Sequence, residues 1–161
     1  MKAKKGFTLV EILIVVVILG ILAAIVIPQF TSASSEAKFS ALVSDLQAVR
    51  SQVQLFKIHH NDILPGSTLL TGNATFIECM TGTTDQYGDP LGTDYGPYMR
   101  KIPANPFSTV ALDAAGNGTV DETGTPGDDG GHWEWNSTTG EFSADDTWDQ
   151  DGVAGPDHAD L

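Results

Sequence analysis

The chain has 161 residues and a formal net charge of −13, and the charge is unevenly divided. Up to His60 there are six Lys/Arg and three Asp/Glu; beyond it there are two basic residues, Arg100 and Lys101, and eighteen acids. So acidic a distal part repels nucleic acid phosphates and anionic headgroups, so no nucleic acid partner is expected, whereas divalent cations are well tolerated. Cys79 is the single cysteine, which excludes an intramolecular disulfide. For an exported domain of this size that points to a different staple, and the acidity points to a metal. Cys79 itself reads as a small buried hydrophobe.

Lys2, Lys4 and Lys5 form a basic leader ahead of an apolar run. By the positive-inside rule they hold the N-terminus in the cytoplasm and send the rest outward. Phe7 to Ile27 is twenty-one residues, which as a helix reach roughly 30 Å, the thickness of a bilayer core. The run ends Ala-Ile-Val-Ile-Pro-Gln-Phe, without a small-x-small cleavage signature, so the apolar helix is expected to be kept. Glu11 is the one carboxylate near its start, placed by the interface rather than at mid-membrane, where it would cost a few kcal/mol. Pro28 removes a backbone donor, so a kink or local unwinding is expected there.

Gly6-Phe7-Thr8-Leu9-Val10-Glu11, followed by an apolar helix ending at Pro28, resembles the N-terminal signal of type IV pilins and type II secretion pseudopilins. The resemblance implies cleavage by a prepilin peptidase between Gly6 and Phe7, N-methylation of Phe7, and assembly through Glu11 and Pro28. Removal of the leader deletes its lysines and creates an α-amine one helical turn from a carboxylate. Inside an apolar bundle, Glu11 of one subunit can then neutralise the amine of the next, and such a pair fixes register.

Beyond Pro28, Phe39, Leu42, Leu46, Val49, Val53 and Phe56 recur at spacings of three and four, one stripe of an amphipathic helix running to about His59. His59 and His60 read as imidazoles at the favourable end of the helix dipole, with metal ligation as the alternative. Asn61-Asp62 and Leu64-Pro65-Gly66 end the helix, and a loop-rich stretch follows with a short helix expected around Thr75 to Met80. Tyr98 to Phe107 is framed by Pro103 and Pro106, hence extended but not a central strand. That stretch also resembles the major pseudopilin group. Trp133-Glu134-Trp135 and Glu141-Phe142-Ser143 flank a Gly-containing turn and predict a β-hairpin whose two indoles share a face and cover the helix.

The expected fold is therefore α+β and pilin-like: a long N-terminal helix, apolar in its first half and amphipathic in its second, packed against a small C-terminal antiparallel sheet. The expected parts are a cleaved leader at 1–6, an assembly helix at 7–28, an amphipathic helix at 29–60 and an acidic β-containing domain with a tail at 61–161.

Asp113, Asn117 and Asp121 occupy the first, fifth and ninth positions of a partial calcium loop with Gly118 at the sixth, but Ala115 and Gly124 stand where two further ligands belong. Asp128-Asp129, Asp145-Asp146 and Asp149 to Asp151 offer further hard oxygens. The resemblance to major pseudopilins implies a structural calcium in these loops. No arrangement of nucleophile and base suggests an enzyme.

The function implied by the resemblance is that of a structural subunit of a helical filament, most like the major pseudopilin of a type II secretion system. The alternatives are the major pilin of a surface type IV pilus and a non-polymerising, membrane-anchored calcium-binding module. The absence of a cysteine pair and the Tyr98 to Phe107 stretch favour the pseudopilin. The partners so implied are copies of the chain, the prepilin peptidase, an assembly platform with minor pseudopilins, and inner-membrane lipid before assembly. The location so implied is a single pass through the bacterial inner membrane with the distal domain in the periplasm, then a periplasmic filament or a surface pilus.

Overall fold

The computed structural model of the protein describes residues 7–122 and 131–145, with the backbone alone for 28, 29, 31 and 32. The leader with Gly6, the Asp128-Asp129 pair and the acids from Asp146 onward lie outside the described residues. The chain divides into two compact units, Met1–Ala37 and Lys38–Leu161.

The first unit is the opening part of α1, Leu9–His59. Its apolar side chains are exposed all round, from Leu9 through Ile27. Leu9–Ile27 has a mean hydropathy of 3.3 and is long and apolar enough to cross a membrane, with none of it buried within the protein. Helical backbone continues through Pro28, so the local unwinding expected there is not found. A proline removes one hydrogen bond, and the turns on either side keep theirs.

In the second unit the amphipathic stripe is realised as drawn from the sequence. Leu42, Leu46, Val49, Val53 and Phe56 are at most 1% exposed, and Phe39 at the margin is half-buried. Helix α1 ends where Asn61 and Asp62 turn left-handed, at φ 53° and 65°, a conformation that short polar side chains tolerate. The Asp62 N–H returns to the Lys57 carbonyl at 3.0 Å.

The stripe packs against α2 (Phe76–Thr81) and a sheet of β1 (Val120–Asp121), β2 (Trp133–Asn136) and β3 (Glu141–Ala144). Helix α2 opens with a capping box: the Glu78 N–H reaches Thr75 Oγ1 and Glu78 Oε2 accepts from the Thr75 N–H at 2.9 Å. The β2–β3 hairpin is antiparallel, with Trp135 opposite Phe142 and Asn136 opposite Glu141. Gly140 closes its turn at φ +79°, where a Cβ would be strained.

The sheet is mixed rather than purely antiparallel. Strand β1 pairs in parallel with β2, Val120 beside Trp133 and Asp121 beside Glu134, so the order is β1-β2-β3. A two-residue strand shows no alternation, and parallel pairing carries no hairpin turn to announce it. Trp133 and Trp135 are fully buried, and each indole N–H finds a carbonyl, Pro103 at 2.7 Å and Pro65 at 2.8 Å. Those two bonds tie the proline-framed stretch and the turn after α1 to the sheet. The Tyr98 to Phe107 stretch contains no strand, as expected, and buries Ile102.

Candidate functional site

Among the described residues, two places carry chemistry. The first is the start of α1. The Thr8 N–H and hydroxyl both donate to Glu11 Oε2, at 2.7 and 2.8 Å, and the Glu11 N–H donates to Thr8 Oγ1 at 3.2 Å. This is a reciprocal cap over the first helical turn, which otherwise leaves its amides without partners. The pattern was present in the sequence as Thr8-Leu-Val-Glu11, four residues that match a capping box. Phe7 and its apolar neighbours are exposed around it.

The second is a group of three carboxylates. One oxygen each from Asp121, Glu134 and Asp145 lies within 4.8 Å of the others. Strand pairing explains the meeting: Asp121 sits beside Glu134 across β1–β2, and Asp145 directly follows β3, the other neighbour of β2. Glu134 and Asp145 are buried, Asp121 half-buried. Asp145 Oδ2 accepts the Gly131 N–H at 2.6 Å. Carboxylates this close repel one another unless protons or a cation intervene. The donors are all hard oxygens, which suits calcium and not a soft transition metal.

Of the partial calcium loop drawn from the sequence, Asp113, Asn117 and Asp121, the last alone belongs to this group, and Asp145 comes from the further oxygen donors. Asp113 and Asn117 satisfy each other instead. Asp113 Oδ1 accepts the N–H groups of Ala115 and Asn117, and the Asn117 side chain donates to Asp113 Oδ2 at 2.9 Å. The Asn117 side chain and backbone hold the Asp113 carboxyl below the usual carboxylate range. Asn117 Oδ1 is taken up by the Ile102 N–H at 3.0 Å. The loop spacing that suggests a calcium ligand also makes a self-contained Asx turn. Asp145 was legible as a candidate oxygen donor, but Glu134 was not, since a lone acid between two tryptophans reads as the outward residue of a strand.

The three described histidines, His59, His60 and His132, take structural places. His60 is fully buried, its Nδ1–H on the Phe56 carbonyl at 2.8 Å and its Nε2 facing Thr84 Oγ1 at 2.9 Å. His59 Nδ1 lies 2.9 Å from the Tyr98 hydroxyl. The buried His132 accepts the Asn105 N–H on Nδ1 at 3.1 Å, which takes up that nitrogen's lone pair.

The first residues, 1–27, match the family model of the prokaryotic N-terminal methylation motif. Over 134 residues the chain is 31% identical to the type II secretion system core protein G of Pseudomonas aeruginosa, covering 81% of this chain and 89% of that one. The chain belongs to the type II secretion core protein G family. It is likewise 30% identical to the core protein G of Vibrio cholerae over 81% of this chain and 87% of that one. Similarity to a fimbrial protein of Pseudomonas aeruginosa is higher, 40%, but spans 42% of this chain and 44% of the relative. The likeness to that fimbrial protein thus covers less than half of the chain, whereas the likeness to these core protein G relatives covers most of it. No solved structure matches the chain. Core protein G membership and the exposed apolar Leu9–Ile27 helix both fit membrane anchoring.

Proposed function

We propose that the chain is the major subunit of a helical filament of a type II protein secretion system, made at the inner membrane and assembled in the periplasm. The observation that carries this is the pairing of a pilin-type start with core protein G likeness along most of the chain. A prepilin peptidase cuts between Gly6 and Phe7 and the new Phe7 amine is methylated. Glu11 then neutralises the amine of a neighbouring copy within the bundle of apolar helices. The contact is between two different surfaces of identical subunits, so it repeats without closing and gives a fibre. Pro28, near the end of the apolar segment, lies within the packed part of that bundle. Minor pseudopilins and the assembly platform supply initiation and the extraction step.

The test is Glu11→Ala in cells that carry the cognate secretion genes. Membrane insertion and leader removal persist, while cross-linked multimers and secretion are lost. Filaments built from the alanine variant would overturn the reading, as would mature protein that retains Met1. A membrane-anchored module that does not polymerise would be indifferent to the change.

The same reading includes a structural calcium. Asp121, Glu134 and Asp145 would hold it, and its charge would offset the repulsion among them. The cation would take over the stapling that a disulfide gives other exported domains.

A further inference from the structure

The N–H of Phe76, the first residue of α2, donates to Glu122 Oε1 at 2.8 Å across a separation of 46 residues. On its other side this carboxylate abuts Gly66, whose φ is +71° and where a Cβ would stand 2.9 Å from Glu122 Oε2. Glu122 thus sits between the turn after α1 and the start of α2. It also directly follows Asp121, one of the three converging acids.

Helix α2 is six residues long, too short to hold itself together in water. Its own capping box, the burial of Phe76, Cys79 and Met80, and the Glu122 acceptor keep it in place. Strand β1 is equally slight, two residues at one edge of the sheet. Repulsion among Asp121, Glu134 and Asp145 therefore falls on the element least able to resist it, and Glu122 moves with that element.

We propose that Glu122 couples cation occupancy of the Asp121–Glu134–Asp145 group to the docking of α2. A cation draws Asp121 toward Glu134 and Asp145 and fixes the end of β1. Glu122, one residue on, is then held where it accepts the Phe76 amide. Without the cation β1 loosens, the acceptor withdraws and α2 opens more often. The inference rests on the calcium reading above. Its consequence is that the metal steadies a face that supplies none of its ligands, the one formed by α2 and the Pro65-Gly66 turn.

The experiment uses the full mature chain in detergent micelles, with calcium chloride or chelator. Calcium binding is measured by titration calorimetry and amide exchange by mass spectrometry on peptides covering 75–82. In the unsubstituted protein saturating calcium slows exchange of those amides about tenfold, the size of an ordinary coupling between sites. In Glu122→Ala calcium still binds, weakened by no more than about that same factor, as reciprocity requires. The slowing at 75–82 falls below about threefold, within the range a lost coupling leaves. Glu122→Gln, whose amide oxygen still accepts from Phe76, restores it. Thr75→Ala loosens α2 with and without calcium alike and leaves the ratio intact.

No calcium binding by the unsubstituted protein would remove both the metal reading and the coupling. Binding with unchanged exchange at 75–82, or equal slowing in Glu122→Ala, would remove the coupling and leave the metal. The first of these comparisons needs no variant, so a Glu122→Ala protein that failed to fold would not shield the proposal.

Discussion

The guanidinium of Arg50 donates from both Nε and Nη2 to the carbonyl oxygen of Phe142, at 3.0 and 2.7 Å. Arg50 comes from the amphipathic half of α1 and Phe142 from β3, an edge strand of the sheet. An edge strand offers backbone groups to any other chain. Here a side chain of the protein's own helix occupies one of them, and the helix and sheet are locked in register by it. Arg50→Met keeps the apolar stem and removes both donors. It should lower the stability of the folded domain by about 1.5–3 kcal/mol, the usual range for hydrogen bonds from a charged group. Urea unfolding followed by tryptophan fluorescence measures this, and Arg50→Lys should recover part of the loss.

The amphipathic stripe makes a second prediction, by contrast within one helix. Leu46 is 1% exposed and Leu55 is 39% exposed. Leu46→Ala should cost about 2–5 kcal/mol, because the cavity it leaves is walled by close-packed neighbours. Leu55→Ala should stay within about 0.5 kcal/mol, as surface changes do. Equal losses at the two positions in urea unfolding would mean that the stripe does not bear the domain.

These two leucines also show what the sequence discloses. The helix, its stripe and the Trp133–Ser143 hairpin were legible, because each repeats a local period long enough to be read over several residues. Strand β1 was not: two residues have no period, and its partner lies more than ten positions away. The start of α1 was legible as a motif, and the reciprocal bonds between Thr8 and Glu11 that shape it are made by two residues of that same motif. The group of three carboxylates was half legible. Asp121 and Asp145 stood out as acids in loops, yet Glu134 joins them only because β2 lies between β1 and β3. Asp113 looked equally suitable by spacing, and the fold spends its oxygens on its own loop instead.

Cys79 gives a prediction in pH. It is fully buried, and burial pushes its thiol up to about 11, with the nearby Glu122 and Glu78 charges adding to the rise. The neutral thiol is thus the folded form. Its contribution to stability is whole below the unfolded thiol range and is lost as pH rises through about 11. Iodoacetamide at pH 8 should leave the native protein unlabelled over hours and label it within minutes in denaturant. Between pH 9 and pH 11, Cys79→Ala should lose less stability than the unsubstituted protein, although it starts lower because of the volume removed. Rapid labelling of the native protein at pH 8 would show the thiol to be open to solvent.

The two candidate ligand sets for the metal predict opposite outcomes for single substitutions. If the cation lies among Asp121, Glu134 and Asp145, Glu134→Gln removes a charged donor from between two others and should weaken calcium at least about tenfold, as losses around metal ligands do. Asp113→Ala should leave the affinity within about threefold, a small fraction of that loss. That substitution instead frees the Ala115 N–H, which is exposed and readily hydrated, and the N–H of the buried Asn117, so its cost falls on the stability of the loop. Chelation sharpens the comparison. A cation present at a hundred times its dissociation constant adds about 2.7 kcal/mol to stability, and chelator removes all of it. Thermal melting with and without chelator should therefore show a large drop for the unsubstituted protein and for Asp113→Ala, and one about half as large or less for Glu134→Gln. The reverse pattern would return the ligand set to the Asp113–Asn117 loop. An absent drop in all three would mean that Asp121, Glu134 and Asp145 are held together by protons, since three neighbouring acids with neither proton nor cation do not stay close.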